Sequence, residues 1–378
     1  MQFLLKGGIF LAAKICNYYA GSNSARGFVS YFEDNIHGID NLYILKDGSE
    51  KDKSLLMKKM GINWFIKGYD IEYIHCPFDE NEVEAVIIPA LSTAVVDGDS
   101  EHIAETRSLG LQGEVVSLTS EGSGRVLSIN EDLILQMKSK IQEYYKSAYE
   151  QLQTALSIHD EWEKIYIDNI DFDKLNGIAD ASINKLFGNL SLRKEGIIKN
   201  RFFGGSTYKG AVNFVMDLTK DIGNRYFIKG RPGSGKSTYL GKIASAAQER
   251  GFDVEVYHCS FDPQSLDMVI VRELDFTVFD STAPHEFQPT RNSDEVIDIY
   301  DLAIAPGTDE KYRDELASIK DKYKKAIDSG ISFLAKAKEL QDLIQAAIAE
   351  KTNPEAIDKI YSDLIDKLNS YFDGLSKK

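Results

Sequence analysis

Three cysteines in 378 residues, Cys16, Cys76 and Cys259, are too few for a disulfide framework and do not have zinc-ligand spacing. Their scarcity fits a reducing, cytoplasmic compartment. Positive charge is also short: 44 lysines and arginines stand against 59 aspartates and glutamates, a net charge of −15. That deficit argues against a general nucleic-acid surface or an anionic-membrane surface, and leaves room for a local basic site. Long apolar runs are missing as well. The stretch Gly7 to Ala13 is short and Lys14 interrupts it, so neither a signal peptide nor a membrane span is expected. The remainder is ordinary for a globular protein, with 43% hydrophobic and 27% charged residues. The length suggests two or three domains, each able to bury a core.

One stretch carries recognisable chemistry. Gly230-Arg231-Pro232-Gly233-Ser234-Gly235-Lys236-Ser237-Thr238 fits G-x-x-x-x-G-K-[ST], the P-loop pattern for a nucleoside triphosphate. Asn224 to Lys229 reads as a strand entering the loop, and Ser237 to Arg250 as a helix leaving it, with Gly251 as its stop. Glycines let backbone N–H groups approach phosphate oxygens, and a helix N-terminus adds its positive dipole end. Lys236 is expected to neutralise the β- and γ-phosphates, and the Ser237 hydroxyl to ligate Mg²⁺.

The chain also repeats itself. A shift of 183 residues lays Lys53 under Lys236 without a gap from Gly21 to His102. From Asn41 to His102 about 19 of 62 positions coincide, too many for chance at one fixed offset. His75-Cys76-Pro77-Phe78-Asp79 falls under His258-Cys259-Ser260-Phe261-Asp262, and Asp97 under Asp280. The expected fold class is therefore α/β: two tandem P-loop domains, 1–198 and 199–378, each three-layered with a mainly parallel sheet. In each copy a loop and short helix (Gly21 to Ile36, Gly204 to Leu218) precede the P-loop strand. Strands at Ile71 to His75 and Val254 to His258 are then followed by expected helices from Glu80 and from Pro263. Strands ending on Asp97 and Asp280 come next. Ile129 to Tyr166 and Leu316 to Lys351 carry apolar residues at three- and four-residue spacings, a long helical hairpin or arm on each copy. Such an arm either packs on the core or meets a partner or a second copy of the chain.

The copies are not equivalent. Asp47, Glu50 and Asp52 stand where the second copy has Gly230, Gly233 and Gly235. Side chains and like charges there oppose a triphosphate, so the second copy alone is expected to bind nucleotide. Asp280 ends the apolar strand Phe276 to Phe279, the Walker B position for orienting Mg²⁺. Ser281 follows it, so the Asp-Glu pair of many motor ATPases is absent. Asp262 is the preferred candidate base, with His285 and Glu286 as alternatives. The His-Cys-x-Phe-Asp element recurs in the copy with the broken loop, which favours a structural role for it. Arg231, Arg272 and Arg291 are the cationic candidates near the site. No guanine-reading element follows Asp280, which favours ATP over GTP.

These motifs, with Tyr-His-Cys-Ser-Phe-Asp and Phe-Asp-Ser-Thr-Ala-Pro-His, resemble a poorly characterised bacterial family of tandem P-loop ATPase-like proteins within the P-loop nucleoside triphosphate hydrolase superfamily. The resemblance implies ATP bound through Gly233, Ser234, Gly235, Lys236, Ser237 and Thr238, with Mg²⁺ near Asp280. The resulting expectation is an ATP hydrolase or phosphotransferase acting on an unidentified small acceptor. A nucleotide-controlled module that binds a partner through its arms, and a nucleoside or nucleotide kinase, are the alternatives.

Overall fold

The computed structural model describes residues 13–100, 113–119, 131–283, 286–349 and 354–375. The first copy opens with β1 (Ile15–Tyr19), β2 (Gly21–Ser24), β3 (Gly27–Ser30), α1 (Phe32–Ile36), β4 (Asn41–Lys46) and α2 (Glu50–Ile66). It continues with β5 (Ile71–His75), β6 (Val83–Ile88), β7 (Thr93–Asp97), β8 (Glu114–Ser117), α3 (Glu131–Ile167) and α4 (Phe172–Phe187). The second copy repeats the order with β9 (Ile198–Phe202), β10 (Gly204–Thr207), β11 (Gly210–Asn213), α5 (Val215–Thr219), β12 (Asn224–Lys229) and α6 (Lys236–Glu249). There follow β13 (Val254–His258), β14 (Leu266–Val271), β15 (Phe276–Asp280) and β16 (Glu295–Asp298). Two short helices, α7 (Ile299–Ala303) and α8 (Thr308–Lys311), precede α9 (Arg313–Ala349) and α10 (Pro354–Leu375).

Each copy builds the same mixed α/β sheet. The order is β1-β5-β6-β7-β4-β8 in the first and β9-β13-β14-β15-β12-β16 in the second. Pairs β1–β5, β4–β7 and β4–β8 are parallel, as are β9–β13, β12–β15 and β12–β16. Strands β6 and β14 run antiparallel to both neighbours. These two strands stand where helices from Glu80 and Pro263 were expected. Val83 to Ile88 is a buried apolar run interrupted by one acid, and such a run does not reveal its type by periodicity. A tight turn suffices to reverse the chain: Cys76 N–H donates to Glu82 O and Cys259 N–H to Ser265 O, each at 2.9 Å. The segments expected as loop and short helix begin with two-stranded hairpins, β2–β3 and β10–β11.

Compactness divides the chain differently from the repeat. One compact unit comprises Met1–Tyr19, Ile36–Tyr145 and Ala335–Lys378; the other comprises Ala20–Asn35 and Lys146–Leu334. Each unit takes into its core the helix that follows one of the arms. In the first unit Ile357, Leu364 and Leu368 of α10 join Leu56, Met57, Met60 and Trp64 of α2 in one core. In the second, Leu175, Ala179 and Phe187 of α4 join Leu240, Ile243 and Ala247 of α6. A stripe at helical spacing needs a partner surface, and burying a leucine-sized side chain is worth about 1.5–3 kcal/mol. Helices α4 and α10 thus bury their apolar faces on cores of this chain. No helix among the described residues is long and apolar enough to cross a membrane.

Candidate functional site

The site is read in the second unit, where β12 delivers the chain to the Gly230–Gly235 loop. Gly233 and Gly235 take φ of +73° and +83°, a region that costs a residue with Cβ about 1–2 kcal/mol. Helix α6 starts at Lys236 with Gly235 as N-cap and without a side-chain cap among the described residues. The N–H groups of Lys236, Ser237 and Thr238 in its first turn therefore have no intrahelical acceptor. The loop closes on itself through Arg231 N–H to Ser234 Oγ at 3.1 Å and Ser234 N–H to Arg231 O at 3.1 Å. Lys236 Nζ donates to Arg231 O at 2.9 Å and stands 3.5 Å from Asp280 Oδ2. Pro232 and Gly230 complete the turn between strand and glycines.

Asp280 ends β15 beside the loop strand. Its Oδ1 accepts Thr282 N–H at 2.9 Å and Thr282 Oγ1–H at 2.6 Å, which leaves Oδ2 toward Lys236. The β14–β15 register pairs Met268 with Phe279, so the next residues along, Asp267 and Asp280, face each other across the two strands. Asp267 is buried, and burial together with the Asp280 charge pushes its carboxyl up to about 7. The Cys259 thiol lies beside it. Burial also pushes that thiol well up, so Cys259 is an inert neighbour and not a nucleophile. The sequence alone hid Asp267, because its segment reads as a helix. The raised carboxyl sets a sign. The folded chain keeps a proton that the unfolded chain releases near pH 4, so stability falls as pH rises from about 4 to about 7. Asp267→Asn is expected to raise the melting temperature at pH 8 and leave it nearly unchanged at pH 4, measured in metal-free buffer.

Other candidates are committed elsewhere. Ser237 Oγ accepts Leu266 N–H at 2.9 Å, and Ser54 Oγ accepts Val83 N–H at 3.0 Å in the first copy. This shared bond ties helix to strand and explains why serine stands in both loops; a second lone pair on Ser237 is left for a cation. Asp262 is held by Arg26, with Nε to Oδ1 at 2.6 Å, and caps its own turn through Gln264 N–H at 3.2 Å. Its counterpart Asp79 pairs with Lys338 at 3.0 Å. The carboxylate preferred as base is thus an ion-paired turn residue. His258 bonds Asn200 and Pro263 as His75 bonds Asn17 and Glu80, so the repeated His is a strand-end clamp. Arg231 pairs with Asp309 at 2.9 Å over the Tyr300 ring, and Tyr166 Oη–H bonds the same Asp309 at 2.8 Å. Arg272 is spent on Glu255, and Arg291 on the carbonyls of Ile222 and Lys220. Thr238 and Glu286 are exposed; His285 lies outside the described residues.

Helix α3 lies against the loop. A Cβ built on Gly233 would stand 2.4 Å from Glu163 O, and one on Gly235 2.4 Å from Leu175 Cδ2. The Glu163 carboxylate is partly exposed and stands 3.8 Å from His159 Nδ1. Burial and Asp160 push that carboxyl up, while the nearby Gly233 backbone and Lys236 pull it back. His159, one turn earlier, sits among Trp162, Phe261 and Tyr323, and its burial lowers its basicity. His159, Asp160 and Glu163 bring one donor atom each within 4.8 Å of one another, a set able to meet a cation.

The first copy shows the same position without a loop. Helix α2 starts at Glu50, the residue aligned with Gly233, so residues that form the loop in the second copy become helix here. Ser49 caps it by accepting Asp52 N–H at 3.2 Å. Lys53 is buried in an ion pair with Asp97 at 2.6 Å and reaches Asp99 at 3.0 Å. Lysine and aspartate thus persist here as a structural pair. Removing Lys53 leaves a buried unpaired carboxylate, so Lys53→Ala is expected to cost about 3–5 kcal/mol in urea denaturation; a loss under ~1 kcal/mol would contradict the pairing. Comparisons of the chain with protein-family models, with curated proteins and with solved structures give no match.

Proposed function

We propose that the second copy binds ATP with Mg²⁺ on the Gly230–Thr238 loop, in the manner of a P-loop protein, and transfers the terminal phosphoryl group to water or to a small acceptor. The observation that carries the reading is the contrast between the two helix starts. Helix α6 begins uncapped behind two positive-φ glycines with Lys236 beside it; helix α2 begins capped by Ser49 with Lys53 buried. Free first-turn N–H groups, a helix dipole and an ammonium favour a bound polyanion. The residues fit Mg²⁺ as well, since Ser237 and Asp280 are hard oxygen donors and Asp267 faces Asp280. A bound cation there would neutralise phosphate charge. Lys236 holds the phosphates in register, and Asp280 keeps its oxygen aimed by its two bonds from Thr282.

Phosphate release from ATP alone, compared with ATP plus candidate acceptors, separates hydrolysis from transfer; no release and no transfer under saturating ATP would sink the enzymatic reading. A nucleotide-controlled switch is favoured by one observation, the close packing of the Glu163 main chain against Gly233. A phosphate that shifts the loop there would press on the arm, and a partner reading the arm would then sense ATP.

A further inference from the structure

The arginine inside the loop is bonded to the protein through every nitrogen of its guanidinium. Arg231 Nε and Nη2 both donate to Asp309 Oδ2, at 3.1 and 2.9 Å, and Nη1 donates to Gly230 O at 3.2 Å. The guanidinium lies 4.6 Å from the centre of the Tyr300 ring. Asp309 is held in turn. Its Oδ1 accepts Tyr166 Oη–H at 2.8 Å, and its own N–H donates to Tyr300 Oη at 3.2 Å. Tyr166 is buried in a core with Ile165, Ile304, Leu316 and Ile319. The loop side chain is thus tied to a packed point outside the loop.

The main chain of the same residue closes the loop. Arg231 N–H donates to Ser234 Oγ, and Arg231 O accepts both Ser234 N–H and Lys236 Nζ. Lys236 Nζ stands 2.9 Å from that carbonyl and 3.5 Å from Asp280. In the first copy Gly48 takes the place of Arg231, and the aligned lysine, Lys53, lies on Asp97 at 2.6 Å. Where the arginine is present the ammonium is held at the loop; where glycine replaces it the ammonium sits on the strand-end acid. Charge alone does not account for Asp309. A carboxylate there offsets the arginine and adds an anion beside a phosphate loop, which by Coulomb repulsion weakens triphosphate binding.

We propose that Asp309 is a positioning residue for the Gly230–Thr238 site, acting through Arg231, an inference that rests on the ATP reading above. The Asp309–Arg231 pair fixes the Arg231 carbonyl, and that carbonyl keeps Lys236 Nζ off Asp280 and available to phosphate. Arg231 stays on Asp309 when ATP binds and does not itself grip a phosphate. Tyr166 and Tyr300 hold the pair in place. A loop ordered before the ligand arrives spares the ligand the cost of ordering it.

The test is ATP titration of the full chain carrying Asp309→Ala, Arg231→Ala or both, with urea denaturation alongside. Both side chains are partly exposed, so the fold is expected to hold. Asp309→Asn keeps the packing should Asp309→Ala unfold, and is expected to weaken ATP binding in the same direction. Each single alanine variant is expected to weaken it roughly tenfold, the scale of one lost side-chain restraint. The double variant is expected to lose no more than either single one, because the two residues act as a unit. Under turnover KM is expected to rise while kcat holds, since the restraint acts before chemistry. Parent-like or tighter binding in the Asp309 variants would overturn the proposal; with a loss in Arg231→Ala it would make Arg231 a direct phosphate ligand. Losses that add in the double variant would overturn it as well. Both outcomes leave ATP binding standing, whereas a parent chain that binds no ATP would remove both readings.

Discussion

Lys236→Ala is expected to weaken ATP binding by roughly 100-fold or more while leaving the fold intact. An ammonium hydrogen-bonded to phosphate contributes about 1.5–3 kcal/mol, and each 1.4 kcal/mol is tenfold in affinity. Further loss follows from the loop itself, because Lys236 Nζ holds Arg231 O at 2.9 Å. The stability cost is expected to be small, since Lys236 keeps some solvent contact and Asp280 retains its two bonds from Thr282. That marks the difference from Lys53→Ala in the first copy, where the fold and not the ligand bears the loss. Titration with a fluorescent ATP analogue alongside urea denaturation separates the two. Unchanged affinity in Lys236→Ala would exclude the loop as the phosphate site.

Gly233→Glu, which imports the first copy's residue, is expected to abolish ATP binding and to destabilise the chain. Three effects add. A side chain at φ +73° costs about 1–2 kcal/mol. Its Cβ would lie 2.4 Å from Glu163 O, a backbone atom of a packed helix, so loop or helix must shift. A new carboxylate would also stand beside Glu163 and against the incoming phosphates. The expected fall in melting temperature is several degrees, as about 1 kcal/mol shifts it by ~2–4 °C in a domain of this size. Gly233→Ala isolates the steric part: the fold should suffer similarly from strain, without the added charge repulsion. Full ATP binding in Gly233→Glu would contradict the account of why the two copies differ.

Much of this was legible from residue order. The loop strand, the helix after it and the strands ending on Asp97 and Asp280 fall where the motif and the repeat place them. Their signals are local: glycines at fixed offsets, short β-branched runs, amphipathic spacing. What was not legible depends on contacts between distant segments. Strand β14 was hidden because a buried apolar run fits strand and helix equally, and with it went Asp267, whose meaning comes from facing Asp280. Glu163 reads in sequence as one acid on a polar helix face; its contact with the loop appears only where α3 packs on Gly233, 70 residues on. Lys53, Ser54 and Asp97 persist in the broken copy for a structural cause, a buried ion pair and a helix-to-strand bond.

The central claim is one nucleotide site per chain, on the Gly230–Thr238 loop. Calorimetric titration of the full chain with ATP and Mg²⁺ tests it most directly. The account predicts a stoichiometry of one and the loss of that binding in Lys236→Ala. A stoichiometry of two, or binding that survives in Lys236→Ala, would contradict it.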